Sequence, residues 1–251
     1  MHSFKPAARR RGRMPRFLLL SLLILATGGI NPAHADGVSD TISNGKTVTG
    51  KITGSGVDSY TFKVEAGGSF VVSVGETGTH DKKFLPAIDL TGPGSKGETG
   101  SARSLHAGIE KINAAAGTWT VKVSRADTGS ATDGNYALTL VQVPGAGTAV
   151  ALSPGKDYSG SNERGTIDAF TFTGVAGHTE TLKLNATGGI GFAPEISVFT
   201  PAGGFSGAVS CITSCSQDVP IKADGTWTVL VSKSDDNDVT GKYKLSVNDK
   251  N

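Results

Sequence analysis

Residues able to do chemistry are scarce in this sequence, and each shortage removes a class of function. Only two cysteines, Cys211 and Cys215, are present, too few for a four-thiolate zinc or iron–sulfur site. Charged residues make up 18% of the chain, against roughly 25% in an ordinary domain. No H-E-x-x-H pair, G-x-S-x-G elbow or phosphate-binding glycine loop occurs, so the common metalloprotease, hydrolase and nucleotide-binding signatures are missing. No apolar run approaches the ~20 residues of a membrane-spanning helix. An active site would therefore need a cleft in which His, Asp or Glu converge without a local signature, and the expectation is a protein that is not an enzyme.

What is present begins with an export pattern. Lys5, Arg9, Arg10, Arg11, Arg13 and Arg16 precede an apolar run from Phe17 to Ala26, and Ala33-His34-Ala35 follows before Asp36. A basic stretch, a short apolar stretch and an A-x-A site describe a cleavable secretory signal over residues 1–35. The expected compartment is the periplasm or the cell exterior, with no transmembrane anchor in the mature chain. The whole chain has 24 Lys+Arg against 22 Asp+Glu. Removing the six basic residues before Asp36 turns the net charge from +2 to −4. A mildly acidic mature chain excludes nucleic acid as a partner on electrostatic grounds.

The mature segment repeats itself. Val57-Asp58-Ser59-Tyr60-Thr61-Phe62 aligns with Ile167-Asp168-Ala169-Phe170-Thr171-Phe172 at an offset of 110. Phe84-Leu85-Pro86-Ala87-Ile88 aligns with Phe192-Ala193-Pro194-Glu195-Ile196, and Gly117-Thr118-Trp119-Thr120-Val121 with Gly225-Thr226-Trp227-Thr228-Val229, both at 108. Gly134-Asn135-Tyr136-Ala137-Leu138 aligns with Gly241-Lys242-Tyr243-Lys244-Leu245 at 107. Short loop indels explain the drift. The reading is an all-β chain of two tandem antiparallel, jelly-roll-like sandwiches, residues 36–143 and 148–251, joined by a linker at 144–147.

Within each repeat the apolar period is two. Tyr60, Phe62 and Val64 alternate with Ser59, Thr61 and Lys63, and Trp119, Val121 and Val123 with Thr118, Thr120 and Lys122. Tyr136, Leu138 and Leu140 alternate with Ala137 and Thr139. One face of each strand is then expected in a core and the other in water. Ser104 to Ala116 is the least strand-like stretch and reads as a loop or a short helical turn.

These blocks resemble the bacterial pre-peptidase C-terminal domain, a jelly-roll module attached to secreted peptidases. The resemblance rests on Asp58, Tyr60, Phe62, Ala66-Gly67, Pro86, Ile88, Gly117-Thr118-Trp119, Gly134 and Tyr136, and on Asp168, Phe170, Phe172, Ala176-Gly177, Pro194, Ile196, Gly225-Thr226-Trp227, Gly241 and Tyr243. No peptidase segment precedes either copy. The resemblance implies a sandwich fold and an exported accessory role, and its motif residues are those of cores and turns.

Several candidate residues remain to be placed. Trp119 and Trp227 are read as core residues, with sugar-stacking platforms as the alternative. Asp58 and Asp168 read as turn-capping carboxylates accepting backbone N–H bonds, or else as ligand groups. His80, His106 and His178 read as surface histidines. Cys211 and Cys215 are expected to form a disulfide in an oxidising compartment, with a metal pair or free thiols as alternatives. Asp235, Asp236, Asn237 and Asp238 form a candidate calcium loop, structural calcium being the one cofactor in view, with a solvated acidic turn as the alternative. The function expected is a non-catalytic binding or scaffolding protein whose partner is a polysaccharide or a protein outside the cytoplasm. Alternatives are an accessory or inhibitory partner of a secreted hydrolase, and a purely structural envelope protein.

Overall fold

The computed structural model describes residues 37–78, 84–101, 105–126, 133–233 and 239–250. The first nine strands are β1 (Ser39–Thr41), β2 (Lys46–Ile52), β3 (Asp58–Val64), β4 (Ser69–Glu76), β5 (Pro86–Thr91), β6 (Glu98–Ser101), β7 (His106–Lys111), β8 (Gly117–Arg125) and β9 (Gly134–Val143). The next nine are β10 (Val150–Ala151), β11 (Tyr158–Asn162), β12 (Asp168–Gly174), β13 (Thr179–Gly188), β14 (Pro194–Phe199), β15 (Phe205–Ser210), β16 (Ser214–Pro220), β17 (Gly225–Lys233) and β18 (Gly241–Asp249). The described residues are all-β, and no helix among them is long and apolar enough to cross a membrane.

The strands form two sheet pairs of matching order. A five-stranded sheet β1-β3-β8-β5-β6 faces a four-stranded sheet β2-β9-β4-β7; β10-β12-β17-β14-β15 likewise faces β11-β18-β13-β16. The runs β3-β8-β5-β6 and β2-β9-β4-β7 are the strand order of a jelly roll. One pair in each five-stranded sheet is parallel, β1 on β3 and β10 on β12, and the other ladders are antiparallel.

Period-two patterning fills each core as the sequence expects. Tyr60, Phe62, Trp119, Val121 and Ile88 from one sheet meet Phe70, Val72, Tyr136 and Leu138 from the other. Phe170, Phe172, Trp227, Val229 and Ile196 meet Leu182, Leu184, Tyr243 and Leu245 in the C-terminal sandwich. Both indoles are buried, and each donates its N–H to a carbonyl four residues earlier, Trp119 to Ala115 and Trp227 to Ala223.

Two expectations are corrected. The stretch from Ser104 to Ala116 contains a strand, β7, which pairs along β4 as a sheet edge. Its inward residues Ala107 and Ile109 alternate correctly, but outward His106 and Gly108 are poor strand formers and mask the pattern. Ala137 and Thr139, expected in water, are buried at 5% and 2% exposure. The reason is a third core between the sandwiches, formed by Val141, Val143, Ala146, Ile167, Phe199 and Leu230. The inner four-stranded sheet of the N-terminal sandwich thus packs face to face on the inner five-stranded sheet of the C-terminal one, and the two sandwiches belong to one compact unit.

Contact at that seam is backbone-close. A Cβ on Gly75 would lie 2.3 Å from the Arg164 carbonyl carbon, and one on Gly165 (φ +75°) 2.3 Å from the Ala137 carbonyl oxygen. Thr139 Oγ1 donates to Gly165 O at 2.6 Å, and Ser69 Oγ to Gly203 O at 2.6 Å. These bonds join the two sandwiches through buried hydroxyls.

Candidate functional site

The aspartates that open the most regular repeat motif are not local turn caps. Asp58 begins β3 and is wholly buried. Tyr136 of β9 donates its hydroxyl to Asp58 Oδ2 at 2.6 Å, and Tyr60 Oη lies 2.7 Å from Tyr136 Oη. The other carboxylate oxygen accepts the Val38 amide at 3.0 Å. That backbone bond comes from 20 residues upstream, so the capping expectation is corrected to a tertiary anchor. Gly50 makes room for it: it pairs with Tyr136, and a Cβ there would be 2.4 Å from the hydroxyl. Burial raises the Tyr136 pKa far above its ordinary value, and the bond to Asp58 raises it further.

The C-terminal sandwich keeps part of this network and opens the rest. Tyr243 donates to Asp168 Oδ2 at 2.5 Å, over Gly160 in place of Gly50. Phe170 stands where Tyr60 stands, so the second hydroxyl is gone. Thr148 aligns with Val38, and among the described residues no backbone amide donates to Asp168 as Val38 does to Asp58. Asp168 is accordingly only half-buried. Burial raises its pKa, and the Tyr243 bond partly offsets that. A groove of about 330 Å³ opens beside it, lined by Asp168, Phe170, Tyr243 and Ser159 to Ser161. That volume is near the lower end of the ~300–1,000 Å³ range of ligand pockets.

A second, smaller cavity of about 100 Å³ lies at the seam between the sandwiches. His106, Glu110, Glu195 and Lys233 converge there, and Ser73 Oγ is 2.7 Å from His106 Nε2. The surface reading of His106 is corrected: it is 4% exposed, and Ser73 is 2% exposed. Ser73 on β4 and His106 on β7 both face the opposing sheet. Burial, and then the Glu195 charge, raise the Glu110 pKa. A hydroxyl so enclosed is out of reach of any sizeable substrate, and the pair is suited to filling a polar seam.

The remaining candidates are dispersed. His178 is half-exposed and pairs with Asp249 at 3.1 Å. Cys211 and Cys215 form a disulfide, with Cα atoms 5.4 Å apart, at the turn between β15 and β16. Asp133 accepts the Gly54 amide at 2.8 Å. Asp235, Asp236, Asn237 and Asp238 lie outside the described residues, as do His80 and residues 1–36. Among the described residues no group of three or more His, Cys, Asp or Glu side chains is placed to hold a metal. Sequence reading missed two buried carboxylates, Glu76 and Glu180, of which Glu180 sits in the core-facing phase of β13 at the position aligned with Phe70. The break in alternating apolar residues at Glu180 was its signal.

No protein-family model matches the chain, and no curated protein does. Among solved structures, it is similar to the pre-peptidase C-terminal domain of a collagenase from Bacillus anthracis. The identity is 23%, over 43% of this chain and 98% of that one, with a TM-score of 0.33. It is also similar to the CUB1-EGF-CUB2 region of human MASP-1/3, at 6% identity over 79% and 99% of the two chains and a TM-score of 0.23. A turret protein of Sulfolobus turreted icosahedral virus, A223, matches at 11% identity over 80% and 96%, with a TM-score of 0.20.

Proposed function

We infer that this chain is an exported, non-catalytic binding or scaffolding protein, made by duplication of a module resembling the pre-peptidase C-terminal domain. Its partner is a polysaccharide or a protein outside the cytoplasm. The observation that carries this reading is the contrast between the two cavities. At the seam cavity the Ser73–His106 pair is itself buried, whereas the larger groove is lined by the Asp168 carboxylate and no paired nucleophile and base. Such a lining binds and orients; it does not activate a bond. The basic and apolar leader pattern with Ala33-His34-Ala35 supports export, as does a short-loop disulfide.

The test is made on the full chain expressed in a bacterium. The exported fraction should carry Asp36 as its first residue, read by mass spectrometry of the intact protein. The purified mature chain should then retain glycans on an array or capture an exported protein. Retention of the intact chain in the cytoplasm, or turnover of a hydrolase substrate panel abolished by His106→Ala, would overturn the reading.

A further inference from the structure

We propose that one end of the C-terminal core is a binding site for a primary ammonium group on a short apolar chain, with Glu180 as its acceptor. This rests on the non-catalytic binding reading above and gives it one place and one ligand chemistry.

The argument comes from aligned positions in the two sandwiches. Ile42-Ser43-Asn44-Gly45-Lys46 aligns with Leu152-Ser153-Pro154-Gly155-Lys156 at an offset of 110. The two segments make equivalent bonds: Gly45 N donates to Leu140 O at 2.8 Å, and Gly155 N to Val247 O at 2.9 Å. In the N-terminal sandwich Ile42, Phe62, Phe70 and Leu140 belong to one buried cluster, with the Phe62 and Phe70 rings edge-to-face at 5.0 Å. Their counterparts are Leu152, Phe172, Glu180 and Val247. Glutamate is smaller than phenylalanine and valine smaller than leucine, and a cavity of about 200 Å³ lies among the four. It exceeds the roughly 150 Å³ of an engineered apolar cavity that admits benzene. The end of the sandwich is also less tied. Asn44 Oδ1 accepts the Gln142 amide at 2.7 Å, and Pro154, in its place, has no side-chain acceptor. Exposed Ser153, Pro154 and Thr173 form the rim.

The carboxylate in this cavity has no structural task there. Glu180 is 6% exposed, and among the described residues its Oε2 has no hydrogen-bond partner. Such a group destabilises a fold, and Phe70 shows that an apolar side chain suits the position. Among the described residues Glu180 is the one charged group in the lining. Asp249 stands directly across the β13–β18 ladder and adds a second negative charge. Burial, and then the Asp249 charge, hold a proton on Glu180, with His178 opposing. The attraction that the carboxylates exert on that proton is equally available to an ammonium. Its N–H groups would meet the acid while the chain lies against Leu152, Phe172 and Val247. A carboxylate ligand is repelled, and a neutral alcohol lacks the charge-assisted bond. A lysine side chain of a partner protein and a free alkylamine share this chemistry.

Mature chain labelled at Leu and Val methyl groups is titrated at about pH 8, where an alkylamine with a pKa of about 10.4 is charged. The probes are n-butylamine, Nα-acetyl-lysine amide, n-butanol and butyrate. n-Butylamine is expected to shift the Leu152 and Val247 methyl signals, with n-butanol about tenfold weaker and butyrate without effect. A response to acetyl-lysine amide as well assigns the site to a protein's lysine, and its absence to a free amine. Glu180→Gln should remove the advantage of amine over alcohol. Glu180→Phe copies Phe70 and should abolish every shift, with the amide spectrum otherwise preserved. Silence of both methyl groups with both amines, n-butanol matching n-butylamine, or an undiminished amine response in Glu180→Gln overturns the assignment. The broader reading survives such a failure and falls on its own test of export and partner capture.

Discussion

Tyr136 reaches across 78 residues of chain to donate to Asp58 at 2.6 Å, and so ties the last strand of the N-terminal sandwich to the start of its third. Removing the hydroxyl leaves a buried carboxylate short of a donor. Tyr136→Phe is expected to cost about 1–3 kcal/mol, whereas Tyr60→Phe, which keeps the direct bond to Asp58, costs roughly 1 kcal/mol. Urea unfolding of both variants measures the difference. Equal losses would show that the carboxylate bond is not what matters.

Leu230 is 2% exposed at the seam, and the aligned residue of the N-terminal sandwich is the exposed Lys122. Leu230→Lys places an uncompensated charge between the sheets and should cost about 3–5 kcal/mol. Scanning calorimetry should then resolve two transitions, against the single one expected of the native chain. Lys122→Leu should stay within about 0.5 kcal/mol. A single unshifted transition for Leu230→Lys would contradict the described packing.

Trp119 and Trp227 fill the two cores with exposures of 1% and 0%. Replacing either by Ala should cost about 3–5 kcal/mol through lost contact and a residual cavity. A variant that melted like the native chain while losing glycan retention would assign the indole to a binding surface instead.

Glu180 is buried, and its pKa is raised by that burial and then by the nearby charge of Asp249, with His178 opposing. For a carboxyl raised in the folded state, the folded chain holds the proton more tightly than the unfolded chain does. Stability is full below the ordinary carboxylate value and falls as pH rises through the raised one. Glu180→Gln should flatten this decline, matching the native chain in acid and exceeding it at neutral pH. Melting curves across that window check the sign; an equal decline in both proteins would place the cause elsewhere.

The strands with clean alternation were legible, because core-facing Tyr60, Phe62, Trp119 and Val121 needed only one partner sheet to be explained. β7 was obscured because half its residues face the seam, where His106 and Gly108 suit close packing rather than a solvated strand. The partner of Asp58 was hidden since nothing local links it to Tyr136. The seam did leave a trace, in differences between aligned positions. Ser59, Lys122 and Asp89 run side by side on one sheet, and Ala169, Leu230 and Ser197 occupy that place on the other. Likewise Val71 pairs with Val141 where Thr181 pairs with Asn248. Polar-to-apolar exchange on one face only is what docking requires, but it can be read as docking only once the faces are known.

Those same exchanges set a limit on growth. The two outermost sheets carry Lys63, Lys122 and Asp89 at one end and Lys183, Asn185 and Lys244 at the other, all exposed. A further molecule offering its apolar face would meet hydrated charge at either end. Adding a further copy head to tail through either outer face would require burying those charges, a cost that the seam between the two sandwiches does not carry.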